Sequence, residues 1–205
     1  MSMKNTDTDF FGKQDGEKIL FVVRPHNMAL TFKLIKIYVV AVIVFIALTV
    51  LGTQLLSFGI FITSGVILAS LIAIFGTSIV MNYQKRDVAY ITDRRIVRFE
   101  PTTLVATNPR SLSWDEVVKV KTYPPNMIWK QMAIGNVVIH ARTSIRTAED
   151  TPSGTVTADD IEINDVYFYK DLGNYIDKIL FTYKQRPKEM DEIRPFIAKP
   201  KGERY

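Results

Sequence analysis

The chain has 205 residues, enough for one or two domains, and its 47% hydrophobic content averages one uncharged stretch with a polar remainder. Its net charge of +5 divides into +2 over residues 1–36, none over 37–84 and +3 over 85–205. Such a diffuse balance does not point to nucleic acid, which calls for a concentrated basic face. The absence of cysteine excludes disulfides and thiolate metal sites and fits a reducing compartment.

Residues 1–15 are polar, with Asp7, Asp9 and Asp15 and no apolar core or small-residue cleavage site. The first apolar segment is therefore expected to stay as an anchor, after a juxtamembrane lead-in over 16–33. Between Lys36 and Lys85 lie 48 residues without Asp, Glu, Lys, Arg or His. About 20 apolar residues cross a bilayer once. The polar interruption Gly52-Thr-Gln-Leu-Leu-Ser-Phe-Gly59 splits the run into two expected transmembrane helices, 34–56 and 60–82.

Arg24, Lys33 and Lys36 precede the first helix, Lys85 and Arg86 follow the second, and the turn between them is uncharged. The positive-inside rule then predicts a multi-pass protein of the cell (inner) membrane with both termini in the cytoplasm. Gly65, Ala69, Ala73 and Gly76 form a small-residue ridge on the second helix. Such a ridge packs on the first helix of the same chain or on a second copy. Neither span carries an ionisable side chain, so a free-standing transporter or channel is not expected.

Residues 85–184 show short β-favouring runs at 88–92, 95–99, 104–106, 111–114, 117–123, 136–142 and 161–168. In the fifth run Val118, Val120 and Thr122 alternate with Lys119 and Lys121, as in a half-buried strand. Short strands at this spacing predict a barrel or sandwich. Residues 147–160 are polar, with Pro and Gly, and predict an exposed loop. A helix follows over 171–183, with Leu172, Tyr175, Ile176, Ile179 and Leu180 on one face and Asp171 as N-cap. Pro187 stops it, and 185–205 is expected to be a flexible tail.

The stretch Tyr90-Ile-Thr-Asp-Arg-Arg-Ile-Val-Arg98 directly after a membrane hairpin resembles the bacterial pleckstrin-homology-like membrane proteins. Gly16-Glu-Lys-Ile-Leu20 with Arg24-Pro-His26, Ser113-Trp-Asp-Glu-Val-Val-Lys-Val120 and Met132-Ala-Ile-Gly-Asn-Val-Val-Ile139 support the resemblance. Met132 and Ala133 stand where that pattern commonly has Leu and Gly. The similarity covers about residues 16–184. It implies a mainly-β, seven-stranded two-sheet sandwich or partly open barrel capped by a C-terminal helix. The family has no single established activity, so the resemblance speaks to fold and location.

Chemistry is sparse. His26 and His140 are the only histidines, and no His, Cys or carboxylate cluster has metal-ligand spacing. His140 is a structural or solvent-facing strand residue, and His26 an interfacial group. Asp115-Glu116 and Asp159-Asp160 point to opposite strand faces and are expected to be surface charge. Neither a nucleotide fingerprint nor a nucleophile motif occurs, so no enzyme and no cofactor are expected.

Two surfaces remain. Lys85, Arg86, Arg94, Arg95 and Arg98, with Lys119 and Lys121, form a candidate headgroup-facing cluster for an anionic inner leaflet, or else topology determinants and turn residues. Arg98 has Glu100 or Asp93 as alternative partners. The Met127, Ile128, Trp129 and Met132 stretch either holds a partner, dips into the headgroup layer or closes one end of the barrel.

The expectation is thus a non-enzymatic scaffold or adaptor presenting its domain to a protein partner or its own copy. The alternatives are an anionic-lipid-sensing module and an accessory subunit of a transport or envelope-stress assembly. Nucleic acid is not an expected partner.

Overall fold

A computed structural model describes residues 9–54, 58–142 and 160–199. The expected loop over 147–160 lies almost wholly outside the described residues. The chain divides into a β-rich unit and a helical pair.

The helical pair comprises α1 (Asn27–Gln54) and α2 (Phe58–Arg86). At 28 and 29 residues they exceed the expected spans, and at 1.5 Å per residue each is roughly 42 Å long. Both are long and apolar enough to cross a membrane. Ala29, Ala41, Gly52 and Gly65 are buried, while Ile43, Val50, Ile60, Ile74 and Phe75 are exposed. A soluble fold would cover such side chains; a bilayer needs them outward.

The helices meet through small residues. A methyl group on Gly65 would lie 3.3 Å from the Phe45 ring, and one on Gly76 only 2.8 Å from Ile37. Gly52 in turn approaches Phe61, with 2.7 Å left for a Cβ. Without side chains at these points the backbones come close, a packing device common between membrane helices.

The β-unit has two antiparallel sheets. The first has the order β1 (Ile19–Val23), β2 (Val88–Thr92), β3 (Arg95–Pro101), β4 (Thr107–Ser113). The second has the order β5 (Val117–Tyr123), β6 (Ile134–Ala141), β7 (Ile161–Tyr167). A short helix α3 (Met127–Gln131) joins β5 to β6, and α4 (Tyr169–Gln185) packs on β5 and β6.

Seven strands were expected and seven are present among the described residues, but not the same seven. Residues 104–106 form a loop closed by the Thr102 N–H donating to Ala106 O at 3.1 Å. The fourth strand starts at Thr107 and tolerates Pro109 because it is the edge of its sheet. The missing strand comes from the lead-in, where Ile19 pairs with Thr92 and Val23 with Ala89. The β-unit is therefore not confined to 85–184: its sheet begins before α1 and resumes after α2.

The main core lies between the sheets, with Trp114, Ile91, Ile96, Val117, Val137, Ile139, Ile161, Leu172, Ile176 and Ile179 fully buried. Burying an aliphatic side chain of this size contributes about 2 kcal/mol. A second cluster covers the outer face of the first sheet, where Phe10 stacks on Tyr90 at 4.7 Å and meets Phe99 edge-on. β2 is buried along its whole length for this reason. The described part of the polar N-terminal segment thus supplies a lid for the sheet.

Three expectations at the second sheet and its helix need correction. A bulge after Val117 turns Val118 outward, so Val120 packs on the core while Val118 is exposed. Helix α4 starts earlier than expected, from Phe168 in the left-handed region at φ 53°, and Asp171 lies in its first turn rather than at its cap. Gly173 fits against Thr122, where a side chain would collide.

The tail also differs from expectation. Residues 187–192 form a 3₁₀ turn, and Met190, Ile193 and Phe196 pack on the core. Phe196 meets Phe21 and Tyr175, and the Tyr175 hydroxyl donates to Arg194 O at 2.8 Å.

Candidate functional site

The β2–β3 turn, Asp93-Arg94, is where the expected basic cluster was centred. Its flanks are organised around Glu17, whose side chain is fully buried. Arg95 grips that carboxylate with two bonds, Nε to Oε1 at 3.0 Å and Nη2 to Oε2 at 3.1 Å. The Thr92 hydroxyl donates to Oε1 at 2.8 Å, and the Gln14 N–H to Oε2 at 2.8 Å. Burial pushes the Glu17 carboxyl up, but Arg95, the Gln14 N–H and Thr92 together outweigh it and hold it below the ordinary carboxylate value. Arg95 also donates to Gly12 O at 2.6 Å and lies 6.0 Å from the Phe10 ring centre.

Arg95 is therefore a bolt between the N-terminal segment and the hairpin. The Thr-Asp-Arg-Arg sequence has matching structural roles. Asp93 exchanges backbone and side-chain bonds with Lys18, and the Trp114 indole N–H donates to Thr92 O at 3.1 Å. Arg94 alone of the pair is exposed, with one long contact from Nη1 to Gln14 Oε1 at 3.4 Å.

Arg98 is buried too. Its partner is neither Glu100 nor Asp93 but Asp87, again with two bonds of 3.1 Å each, and it also donates to the Glu162 carbonyl. Glu100 pairs instead with Arg110 at 3.5 Å. Lys119 and Lys121 are exposed on the second sheet, opposite His140 and Val138, rather than on the sheet that carries Arg94. Lys85 is exposed and Arg86 half-buried in the last turn of α2. The expected seven-residue patch is thus divided, and two of its arginines are cross-links.

The aromatic stretch folds as α3, capped by Asn126, whose side chain accepts from the Trp129 N–H at 3.0 Å. Met127 and Ile128 are exposed, while Trp129 and Met132 are half-buried. Gly65, Ala69, Ala73 and Gly76 all lie on the face of α2 that has reduced exposure, and Gly65 and Gly76 abut α1.

Several polar groups carry more structure than their sequence context suggests. Asp160, expected at the surface, is buried, accepts from the Ala141 N–H at 3.0 Å and contacts His140 Nδ1 at 2.9 Å. Tyr123 donates to Glu162 Oε1 at 2.6 Å, and Asn136 joins the same oxygen at 3.1 Å. The Glu162 bond first, then burial, raises the Tyr123 hydroxyl above its ordinary value. His26 stacks near Tyr167 at 5.0 Å, and burial pushes its imidazole below the ordinary value. Among the described residues no group of three or more His, Asp or Glu is arranged to hold a metal.

The missed residues, Glu17, Asp87 and Asp160, have no local signature. Glu17 and Asp87 stand in charged, polar stretches and Asp160 directly follows Asp159, so only pairing with distant residues reveals their roles. Compared with protein-family models, curated proteins and solved structures, the chain matches none.

Proposed function

We propose that this chain is a membrane-anchored, non-enzymatic adaptor that presents a pleckstrin-homology-like domain at the cytoplasmic face of the inner membrane. Its ligand is a protein partner or a second copy. One observation carries this reading: the apolar hairpin is spliced between two adjacent, paired strands of one sheet. Three residues separate β1 from α1, and Asp87 alone separates α2 from β2. An anchor joined on both sides to one sheet is suited to holding a folded domain at a surface, not to releasing it. The order of four strands, three strands and a terminal helix supports the pleckstrin-homology-like assignment. The flanking Arg24, Lys33, Lys36, Lys85 and Arg86 support the cytoplasmic orientation.

A lipid sensor built on the basic hairpin is the weaker reading, because Arg95 and Arg98 are spent on Glu17 and Asp87. The two readings separate on Arg94→Glu in the full chain, which should weaken capture of anionic lipid only in the sensor. The adaptor is tested by purifying the full chain from native membranes in mild detergent and weighing the intact assembly. A stoichiometric protein partner or a defined oligomer is expected. Recovery as a monomer carrying only lipid overturns it.

A further inference from the structure

The residues on either side of the helical pair are tied to one strand. His26 directly precedes α1, and Asp87 directly follows α2. The His26 N–H donates to Asp165 O at 2.8 Å. Asp87 grips Arg98 with two bonds of 3.1 Å each, and Arg98 also donates to the Glu162 carbonyl. Glu162 and Asp165 both belong to β7, in the second sheet. The strands that lead to and from the helices, β1 and β2, are instead neighbours in the first.

A continuous run of polar contacts joins these two attachments. The Asp165 N–H donates to Asn136 Oδ1 at 3.1 Å, and Asn136 Nδ2 donates to Glu162 Oε1 at 3.1 Å. The Tyr123 hydroxyl donates to the same carboxylate oxygen at 2.6 Å. Glu162 is thus held by its carboxylate from β5 and β6, and by its carbonyl from Arg98 of β3. Arg98 and Asn136 are both buried, so water competes poorly for their bonds. A partner left behind by a broken link goes unsatisfied, which loads the next link in the run.

The run passes through an unusual backbone. The pairing of β6 with β7 shifts between Gly135 and Val137, and Asp165 lies in that irregularity with φ 57°. A non-glycine residue in the left-handed region is uncommon and persists where its surroundings fix it. Asp165 is fixed from both sides, its N–H by Asn136 and its carbonyl by His26. Two others among the described residues share this conformation, Ala133 at φ 55° and Phe168 at φ 53°. They stand beside the same ends of β6 and β7, joined by the Phe168 N–H donating to Ala133 O at 2.8 Å.

We propose that β7 is a tie-bar that couples the two junctions, with the Asp165 bulge as the element that yields. Displacement of Asp87 frees Arg98 from its charge partner and loosens the Glu162 carbonyl. Tyr123 and Asn136 then lose their fixed acceptor, Asn136 releases the Asp165 N–H, and the bond that Asp165 accepts from His26 opens. The same run carries a disturbance the other way. All of these residues belong to the β-unit, so the coupling holds whether or not the helices cross a membrane. In an adaptor it would make the β5–β6 connection that carries α3, rooted at Tyr123 and Asn136, responsive to either junction.

Amide hydrogen exchange of the full chain in detergent micelles, followed by nuclear magnetic resonance, tests the coupling. The His26 N–H reports on the first junction, and Asp87→Asn disturbs the second by removing the charge that holds Arg98. Exchange at His26 should quicken about tenfold, since its bond then opens locally. Tyr123→Phe, which removes one hydroxyl from the middle of the run, should quicken it by a smaller factor and serves if Asp87→Asn does not fold. Glu17→Ala breaks the buried pair beside the β2–β3 turn and should leave the His26 rate unchanged. An unaltered His26 rate in both Asp87→Asn and Tyr123→Phe overturns the coupling. Equal quickening by Glu17→Ala also overturns it, because His26 then opens only with the whole fold.

Discussion

The two ends of the β-unit use the same residue types in opposite ways. At the turn end, Glu17 and Arg95 neutralise each other under Phe10, and the remaining charges face outward. At the helix-linked end, where the chain passes to α1 and returns from α2, Asp87 and Arg98 form a second, partly exposed pair, and Met127 and Ile128 between β5 and β6 are exposed. The lesson is that arginines do not mark the sticky surface here. They hold segments distant in sequence together, 78 residues apart for Glu17 and Arg95. The unpaired surface energy lies in aliphatic side chains that a charge-based search passes over.

The sharpest way to break this comparison is to remove one carboxylate at each end. Glu17→Ala leaves Arg95 largely buried without a counter-charge and unpins the N-terminal segment. It should cost about 3 kcal/mol, the scale for breaking a buried pair. Thermal unfolding of the detergent-solubilised full chain, followed by the fluorescence of buried Trp114, would measure it. A loss below about 1 kcal/mol would mean that water replaces the carboxylate, against the buried geometry. Asp87→Ala should cost less, about 2 kcal/mol, because Asp87 is partly exposed and the Glu162 carbonyl still holds Arg98. Equal losses at the two ends would erase the distinction between a closed end and an open one.

Acidification separates the ends by pH. His26, at the helix-linked end, has a folded value below its unfolded one. The unfolded chain therefore binds its proton more tightly, and stability falls as pH drops from about 6.5. Glu17 is likewise depressed, so its contribution is present above about 4.5 and is lost as pH falls through the folded value. Two limbs are expected in a plot of Tm against pH. His26→Gln should flatten only the upper limb, and Glu17→Gln only the lower. If either variant flattens both limbs, the two groups share one transition.

Much of this organisation is legible in the residues, because it follows from local pattern. The uncharged run between Lys36 and Lys85 shows two helices, and the spacing of Leu172, Ile176 and Ile179 shows the closing helix. What is not legible depends on pairing at a distance. Leu104 to Ala106 look as β-favouring as Ile19 to Val23, yet only the latter have a strand edge, on β2, to join. Arg95 and Arg98 look like surface cations because their carboxylates stand far away or across a strand. Met127 and Ile128 differ: their composition marks them as special, but which end of the domain they occupy needed the register of both sheets.

The C-terminal segment offers the smallest effect and a clean discrimination. It is held by an exposed ion pair, Lys18 Nζ to Asp191 Oδ1 at 2.6 Å, and by Phe196 against Phe21 and Tyr175. The pair raises the Lys18 ammonium value and lowers that of Asp191, but both groups are solvated, so salt and water screen their attraction. Phe196 is half-buried, and truncating it removes apolar contact that water cannot replace. Phe196→Ala should therefore lower stability by about 1 kcal/mol and speed tryptic cleavage after Lys188. Asp191→Asn should leave both measurements unchanged. The reverse ranking would make the tail an electrostatic strap anchored at the turn end, next to Asp93, and would then give that end a charge-dependent cover that the buried Glu17–Arg95 pair does not provide.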